Sequence, residues 1–251
     1  IRGSKKELPV NITVRRNEIF LDSFNQIMNR PASDLRGKFQ IEFSGEEGND
    51  AGGLTREWFL ALSREIFNPN YALFKTSATG ETFQPNPQSL VNHDHIRYFK
   101  FIGIVVGKAL HDGYLLDAFF TRSFYKHMCG APIHFTDMED VDPDYYKNLS
   151  WILKNSVEGL DLTFSYETED FGQIVVKDLI PNGRNIPVTD ENKSEYVNKI
   201  CYAKMATEIK EQTEAFLEGL EQMVPRDMLA MFEPRELELM ISGLPEIDCK
   251  P

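Results

Sequence analysis

The chain has 251 residues, 41% of them hydrophobic and 26% charged, and carries a formal net charge of −12. That length can bury one large core or two modest ones, and the acidic surplus excludes non-specific binding to nucleic-acid phosphates. No apolar run approaches the roughly 20 residues that a membrane span needs, and "IRGSKKELPV" at the start lacks the apolar core of a secretory signal.

In chain order, "VRRNEIFLDSFNQIMNR" places Ile19, Phe20, Phe24, Ile27 and Met28 at helical spacing. "KFQIEF" alternates Phe39, Ile41 and Phe43 and predicts a short strand. The glycine-rich "GEEGNDAGG" turns the chain into a helix over "GLTREWFLALSREIF", with Asp50 as its cap and "NPN" as its stop. "YALFKTSATGETFQPNP" predicts a hairpin. "HDHIRYFKFIGIVVGKALHDG" is apolar on nearly every side from Tyr98 to Leu110, which places that helix inside a core. Gly103 and Gly107, four apart, would let a neighbouring helix come close. "FFTRSFYKHM" and "PDYYKNLSWILKN" predict two further helices, "LDLTFSYET" and "FGQIVVKDL" two strands, and "PNG" a turn. One very long helix is expected from Thr189 to Met223, capped by Thr189, with Asp190 and Glu191 at the positive end of its dipole. Pro225 ends it, and "PRELELMISG" adds a last helix closed by Gly243.

The chemical motifs mostly fail. "GGLTRE" lacks the lysine and the following hydroxyl of a phosphate-binding loop. Read as a calcium loop from Glu46, Asp50 is fifth and Glu57 twelfth, but Ala51 stands where a glycine is required. His93 and His95 have no further ligands at helical spacing, and His111, His127 and His134 are scattered. Three cysteines, Cys129, Cys201 and Cys249, are too few and too dispersed for a disulfide framework or a zinc site, which predicts a reducing, intracellular setting. Cys201 sits at a core position of its helix, and Cys129 lies near His127 without a complete nucleophile constellation. The glycosylation triplet Asn11–Thr13 is read as chance. No metal or cofactor is expected.

Several segments carry a resemblance. "FSGEEGNDAGGLTREWF", "LSREIFNPNYALF", "YFKFIGIVVGKAL", "LLDAFFTRSFYKHM", "DPDYYKNLSWILKN", "DLTFS", "VTDENKSEYV", "AFLEGL" and "ELELMISGLPEID" occur in order from about residue 10 to the end. Together they resemble the N-terminal lobe of HECT ubiquitin ligases, the giant HECT ligases most of all. The resemblance implies a predominantly helical α+β fold, with a large subdomain over about 10–140 and 206–251 and a small one over about 141–205. It implies a two-step transfer as well. A ubiquitin-conjugating enzyme docks with its thioester, a cysteine in a C-terminal lobe outside this chain takes the ubiquitin, and a substrate lysine then receives it. No nucleic acid or membrane takes part, substrates are held by regions outside this chain, and the setting is cytoplasmic or nuclear.

Two surfaces follow from the resemblance. The conjugating enzyme would meet Tyr145, Asn148 and Leu149 on one helix and Tyr196 and Ile200 on the next. In the sequence itself Tyr145, Asn148, Leu149 and Ile152 form an i, i+3, i+4, i+7 stripe. Tyr196 and Ile200 are an i, i+4 pair beside a core seam of Val197, Cys201, Met205 and Ile209. The expectation is a partly exposed groove, against the alternative that the two stripes pack on each other. Ubiquitin itself would meet Tyr71, Thr76 and Phe171, although threonine stands where an aromatic is used. The competing reading of the whole chain is a HECT-like module that only binds proteins.

Overall fold

In the computed structural model, which describes residues 8–46, 51–170 and 172–244, the chain opens with a strand, β1 (Val10–Val14), that alternates buried and exposed residues. It pairs in parallel with β2 (Phe39–Phe43), Val10 opposite Phe39 and Val14 opposite Phe43. A parallel pair needs a crossover, and helix α1 (Ile19–Met28) supplies it, burying Phe20, Phe24 and Ile27. Strand β1 is not among the elements expected from the sequence, although "VNITV" alternates apolar Val10, Ile12 and Val14 as β2 does. The next helix, α2 (Ala51–Ile66), inserts Trp58, whose indole N–H donates to the Ser23 hydroxyl at 2.9 Å inside the core. Its expected cap, Asp50, lies outside the described residues.

The expected hairpin is present as β3 (Phe74–Thr76) and β4 (Phe83–Pro85), paired antiparallel. Phe67 stacks on Phe83 at 4.2 Å between ring centres and meets Phe74 and Phe120 edge-on, so the hairpin is held by aromatic packing. Helix α3 (His95–Asp112) then runs through the middle of this core with ten consecutive-face residues buried from Phe99 to Ala109. One of its two lysines, Lys108, is fully buried, and donates to the carbonyl oxygens of Gly37 (2.8 Å) and Arg36 (3.2 Å) and to Asp112 (3.0 Å). That satisfies the ammonium's three donors.

Helix α4 (Arg122–Cys129) follows. After it come α5 (Pro143–Lys154), the antiparallel pair β5 (Ser165–Asp170) and β6 (Gln173–Asp178), and α6 (Lys193–Met205). The long helix expected from Thr189 to Met223 is therefore two helices. It starts at Lys193 and breaks at Ala206 (φ −134°, ψ −57°), passes one 3₁₀ turn, and restarts as α7 (Lys210–Met223). Nothing between Met205 and Lys210 is a proline or glycine, so propensity gives no break. Packing does: α6 buries Val197, Cys201 and Met205 in one core, whereas α7 buries Phe216, Leu220 and Met223 in another. One straight rod could not serve both.

The start of α6 also differs from expectation. Thr189 accepts from Lys193 N in a turn ahead of the helix rather than capping it. Asp190 points away and accepts from Val157 N (2.9 Å) and the Ser156 hydroxyl (2.7 Å). The last helix, α8 (Pro234–Ser242), ends as expected at Gly243, which takes φ +76°.

The glycines of α3 have their partner in α7. A Cβ on Gly103 would lie 1.9 Å from the Phe216 carbonyl oxygen, and one on Gly219 would lie 2.0 Å from that of Lys100. Backbone touches backbone at this crossing. The buried side chains form two clusters. The larger draws on every element from β1 to α4 together with α7 and α8; the smaller runs from Met138 to Met205. No helix among the described residues is long and apolar enough to cross a membrane.

Candidate functional site

Helix α5 is well specified locally. Asp142 caps it by accepting from Tyr145 N at 2.9 Å, Pro143 occupies the first turn, and Lys154 stands at the negative end. Its inner face meets α6. Leu149 is 2% exposed, Tyr196 6% and Ile200 2%, and the ring of Phe164 stands edge-on to Tyr196 at 5.8 Å. These three side chains do not line an open groove. They are core, together with Val197 and Cys201. The expectation of a partly exposed Tyr196–Ile200 stripe is corrected here, because α6 is covered on more than one side. It packs against α5 and also against the turn Phe135–Asp137, so its buried arc spans neighbouring positions rather than one seam.

Two of the five expected residues do reach the surface. Tyr145 is half-buried, with the Lys204 ammonium 5.0 Å from its ring centre, and Asn148 is exposed. Burial raises the Tyr145 hydroxyl, and it raises that of Tyr196, so both stay protonated as neutral donors. One turn beyond Asn148 stands Trp151, 48% exposed, a large aromatic with water on one side. Trp151 is absent from the expected stripe, whose last member, Ile152, is half-buried against the small core. The signal was available: Trp151 is at i+3 from Asn148 and off the Tyr145–Leu149 stripe.

The junction between α5 and α6 is clamped. Besides Ser156 and Val157, Asp190 receives Lys193 Nζ at 3.2 Å, and the same ammonium donates to the Asn155 carbonyl at 2.6 Å. The Val157 amide, then Ser156 and Lys193, hold the Asp190 carboxyl below its usual range. On the other flank of α6 lies a broad open groove of about 1180 Å³, with Phe135, Tyr166, Leu179 and Tyr202 among its walls.

The second expected surface is only partly described. Tyr71 is half-buried with its ring 4.4 Å from that of Phe20, and Thr76 is exposed at the end of β3. Phe171 lies outside the described residues. Its neighbour Glu169 accepts from Gln88 Nε2 at 2.5 Å, which brings the β5–β6 hairpin to the large core.

The thiols offer no exposed nucleophile among the described residues. Cys129 and Cys201 are buried, and burial pushes the Cys201 thiol up to about 12. His127, near Cys129, hydrogen-bonds Met205 O through Nε2 at 2.9 Å, while Cys129 Sγ lies against Lys126 O. Cys249 lies outside the described residues. Among those residues no group of three or more His, Cys, Asp or Glu side chains could hold a metal ion.

Residues 60–251 match the family model for the HECT-domain (ubiquitin-transferase). An E3 ubiquitin-protein ligase TOM1-like of Neurospora crassa is 50% identical over 243 residues, 96% of this chain and 6% of that protein. The E3 ubiquitin-protein ligase UPL2 of Arabidopsis thaliana is 50% identical over 248 residues, 96% of this chain and 7% of the relative. The E3 ubiquitin-protein ligase HUWE1 of Mus musculus is 47% identical over 249 residues, 98% of this chain and 6% of its own length. The chain thus spans less than a tenth of the relatives it matches.

Proposed function

The chain belongs to the HECT-domain (ubiquitin-transferase) family, and from that premise we propose that it is the docking part of a ubiquitin-protein ligase. It recruits a ubiquitin-charged conjugating enzyme, and a cysteine elsewhere in the full-length protein accepts the ubiquitin and passes it to substrate lysines. Protein substrates are held by regions outside this chain, in the cytoplasm or nucleus. The subdomains are those of the sequence reading, large over about 10–140 and 206–251 and small over about 141–205; the two separate clusters of buried residues support the division.

The docking face on this reading is the outer side of α5, where Tyr145, Asn148 and Trp151 stand. Leu149, Tyr196 and Ile200 form the layer beneath and hold that face in shape. The single observation that carries the reading is the exposed Trp151 on a helix whose other side is locked into a core. Exposed aromatics of this kind commonly anchor protein partners. Ubiquitin would meet the region of Tyr71 and Phe171, with Thr76 contributing little because it has no ring.

Titration of a panel of conjugating enzymes tests this. Trp151→Ala is expected to cost about 2 kcal/mol, roughly a thirtyfold loss of affinity, with an unchanged melt. Equal binding by wild type and Trp151→Ala would remove the face from α5. With activating enzyme, conjugating enzyme and ATP, the chain alone is expected to form no thiol-sensitive ubiquitin adduct, because on this reading the accepting cysteine lies outside this chain; Cys129 and Cys201 are buried. An adduct that vanishes on Cys129→Ser would contradict the reading.

A further inference from the structure

The chain crosses between its two cores twice, and helix α4 holds both crossings. The first leaves α4 at Cys129 and enters the small core at Met138. Along it, Asp137 is buried and receives Lys126 Nζ at 2.7 Å and His134 N at 2.7 Å. The second crossing leaves α6 at Met205, where the helix breaks. There His127 Nε2 meets the Met205 carbonyl oxygen at 2.9 Å. Lys126 and His127 are consecutive, so one turn of one helix grips both connections. The other end of α4 is tied as well, since Arg122 N donates to Asp140 at 2.6 Å.

These contacts cost something. Asp137 is 1% exposed, and a buried carboxylate and ammonium give up hydration that their attraction returns only with good geometry and further hydrogen bonds. His127 is desolvated too, which favours its neutral form, with Nε2 carrying the proton given to Met205 O. Further bonds between the cores are Ala78 N to Val141 O at 3.0 Å and Gln88 Nε2 to the Glu169 carbonyl oxygen of β5 at 2.5 Å. They brace the arrangement beside the two crossings.

We propose that Lys126, His127 and Asp137 are positioning residues that fix the angle at which the small core, with α5 on it, stands on the large core. The consequence for ubiquitin transfer rests on the docking reading above; the angle itself does not. Buried pairs of this kind contribute little to stability compared with a hydrophobic substitute, whereas a fixed angle decides where a docked thioester is presented.

The test uses spin labels on the exposed side of each core, at Leu21→Cys on α1 and Lys147→Cys on α5, with Cys249→Ser, and pulsed dipolar distance measurement. Lys126→Met combined with Asp137→Asn removes both charges together and leaves no uncompensated buried ion, while asparagine still accepts from His134 N. His127→Phe keeps a ring and loses the donor; His127→Gln keeps a donor. The distance distribution is expected to widen about twofold in the double variant and in His127→Phe, as a hinge released from its anchors should, and to return to the wild-type width in His127→Gln. Circular dichroism melts accompany each sample. Should His127→Phe fail to fold, the double variant alone decides. An unchanged distribution in a folded double variant overturns the proposal. Conjugating-enzyme affinity, measured on the same Lys126, His127 and Asp137 variants without the two label sites, is expected to stay within about twofold of wild type, since α5 is untouched in them. A wild type that binds no conjugating enzyme would sink the docking reading and leave the distance result standing.

Discussion

Tyr196 shows how a single residue can be read in opposite ways from sequence and from structure. Its i, i+4 spacing to Ile200 is compatible with a docking stripe, but it is 6% exposed and in edge contact with Phe164. Tyr196→Ala should therefore act on stability. A cost of about 3 kcal/mol is expected, lowering the melting temperature by roughly 6 to 12 °C for a chain of this size. A melt within 2 °C of wild type would return Tyr196 to the surface. Asn148 and Trp151 are the residues whose loss should instead leave the melt alone. Periodicity gives the i, i+3, i+4 spacing of Tyr145, Asn148 and Leu149, yet Tyr145 is half-buried, Asn148 exposed and Leu149 buried. It could not report what covers each face, because that depends on Phe164 and the Phe135–Asp137 turn, far away in the chain.

At the scale of elements, the contact between α3 and α7 is the most demanding in the fold. Gly103 and Gly219 each face the other helix's backbone, at a separation that no side chain could enter. Gly219→Ala must push the helices apart, and is expected to cost at least about 2 kcal/mol through overpacking. Denaturant melts would show it, and a neutral Gly219→Ala would mean that the crossing is looser than described. The close approach was legible in the four-residue spacing of Gly103 and Gly107, and its partner was not, since Gly219 reads as an ordinary helix-weakening glycine in "AFLEGL". The break at Ala206 was hidden for a related reason. Helical propensity is continuous through "KMATEIKEQ", and only the two separate cores demand that the helix stop and turn. Conversely, β2, the β3–β4 hairpin and α8 carry their signals locally, in alternation, in turn residues and in a terminal glycine, and those elements stand where the sequence placed them.

At the scale of the whole molecule, the ionisable groups predict the direction of pH dependence. Asp22, beside Arg15, and Asp190, beside the Val157 amide, are held below their usual range. Their stabilisation is present above the unfolded carboxylate value of about 4 and is lost as pH falls below it. Desolvation lowers His127, so stability also declines as pH drops below about 6.5, where the unfolded chain takes up the proton first. Burial raises Cys201 to about 12, and its contribution is complete below the unfolded thiol value of about 8.5 and lost above it. Urea midpoints from pH 3 to 10 should thus peak between about 7 and 8.5; a maximum at pH 5 would contradict these assignments. The most direct test of the docking account is the chemical-shift map of the isotope-labelled chain on addition of a ubiquitin-charged conjugating enzyme. The account predicts perturbations centred on Tyr145, Asn148 and Trp151 of α5, with weaker changes in Leu149, Tyr196 and Ile200 beneath. Perturbations confined to the large core, with α5 silent, would contradict it.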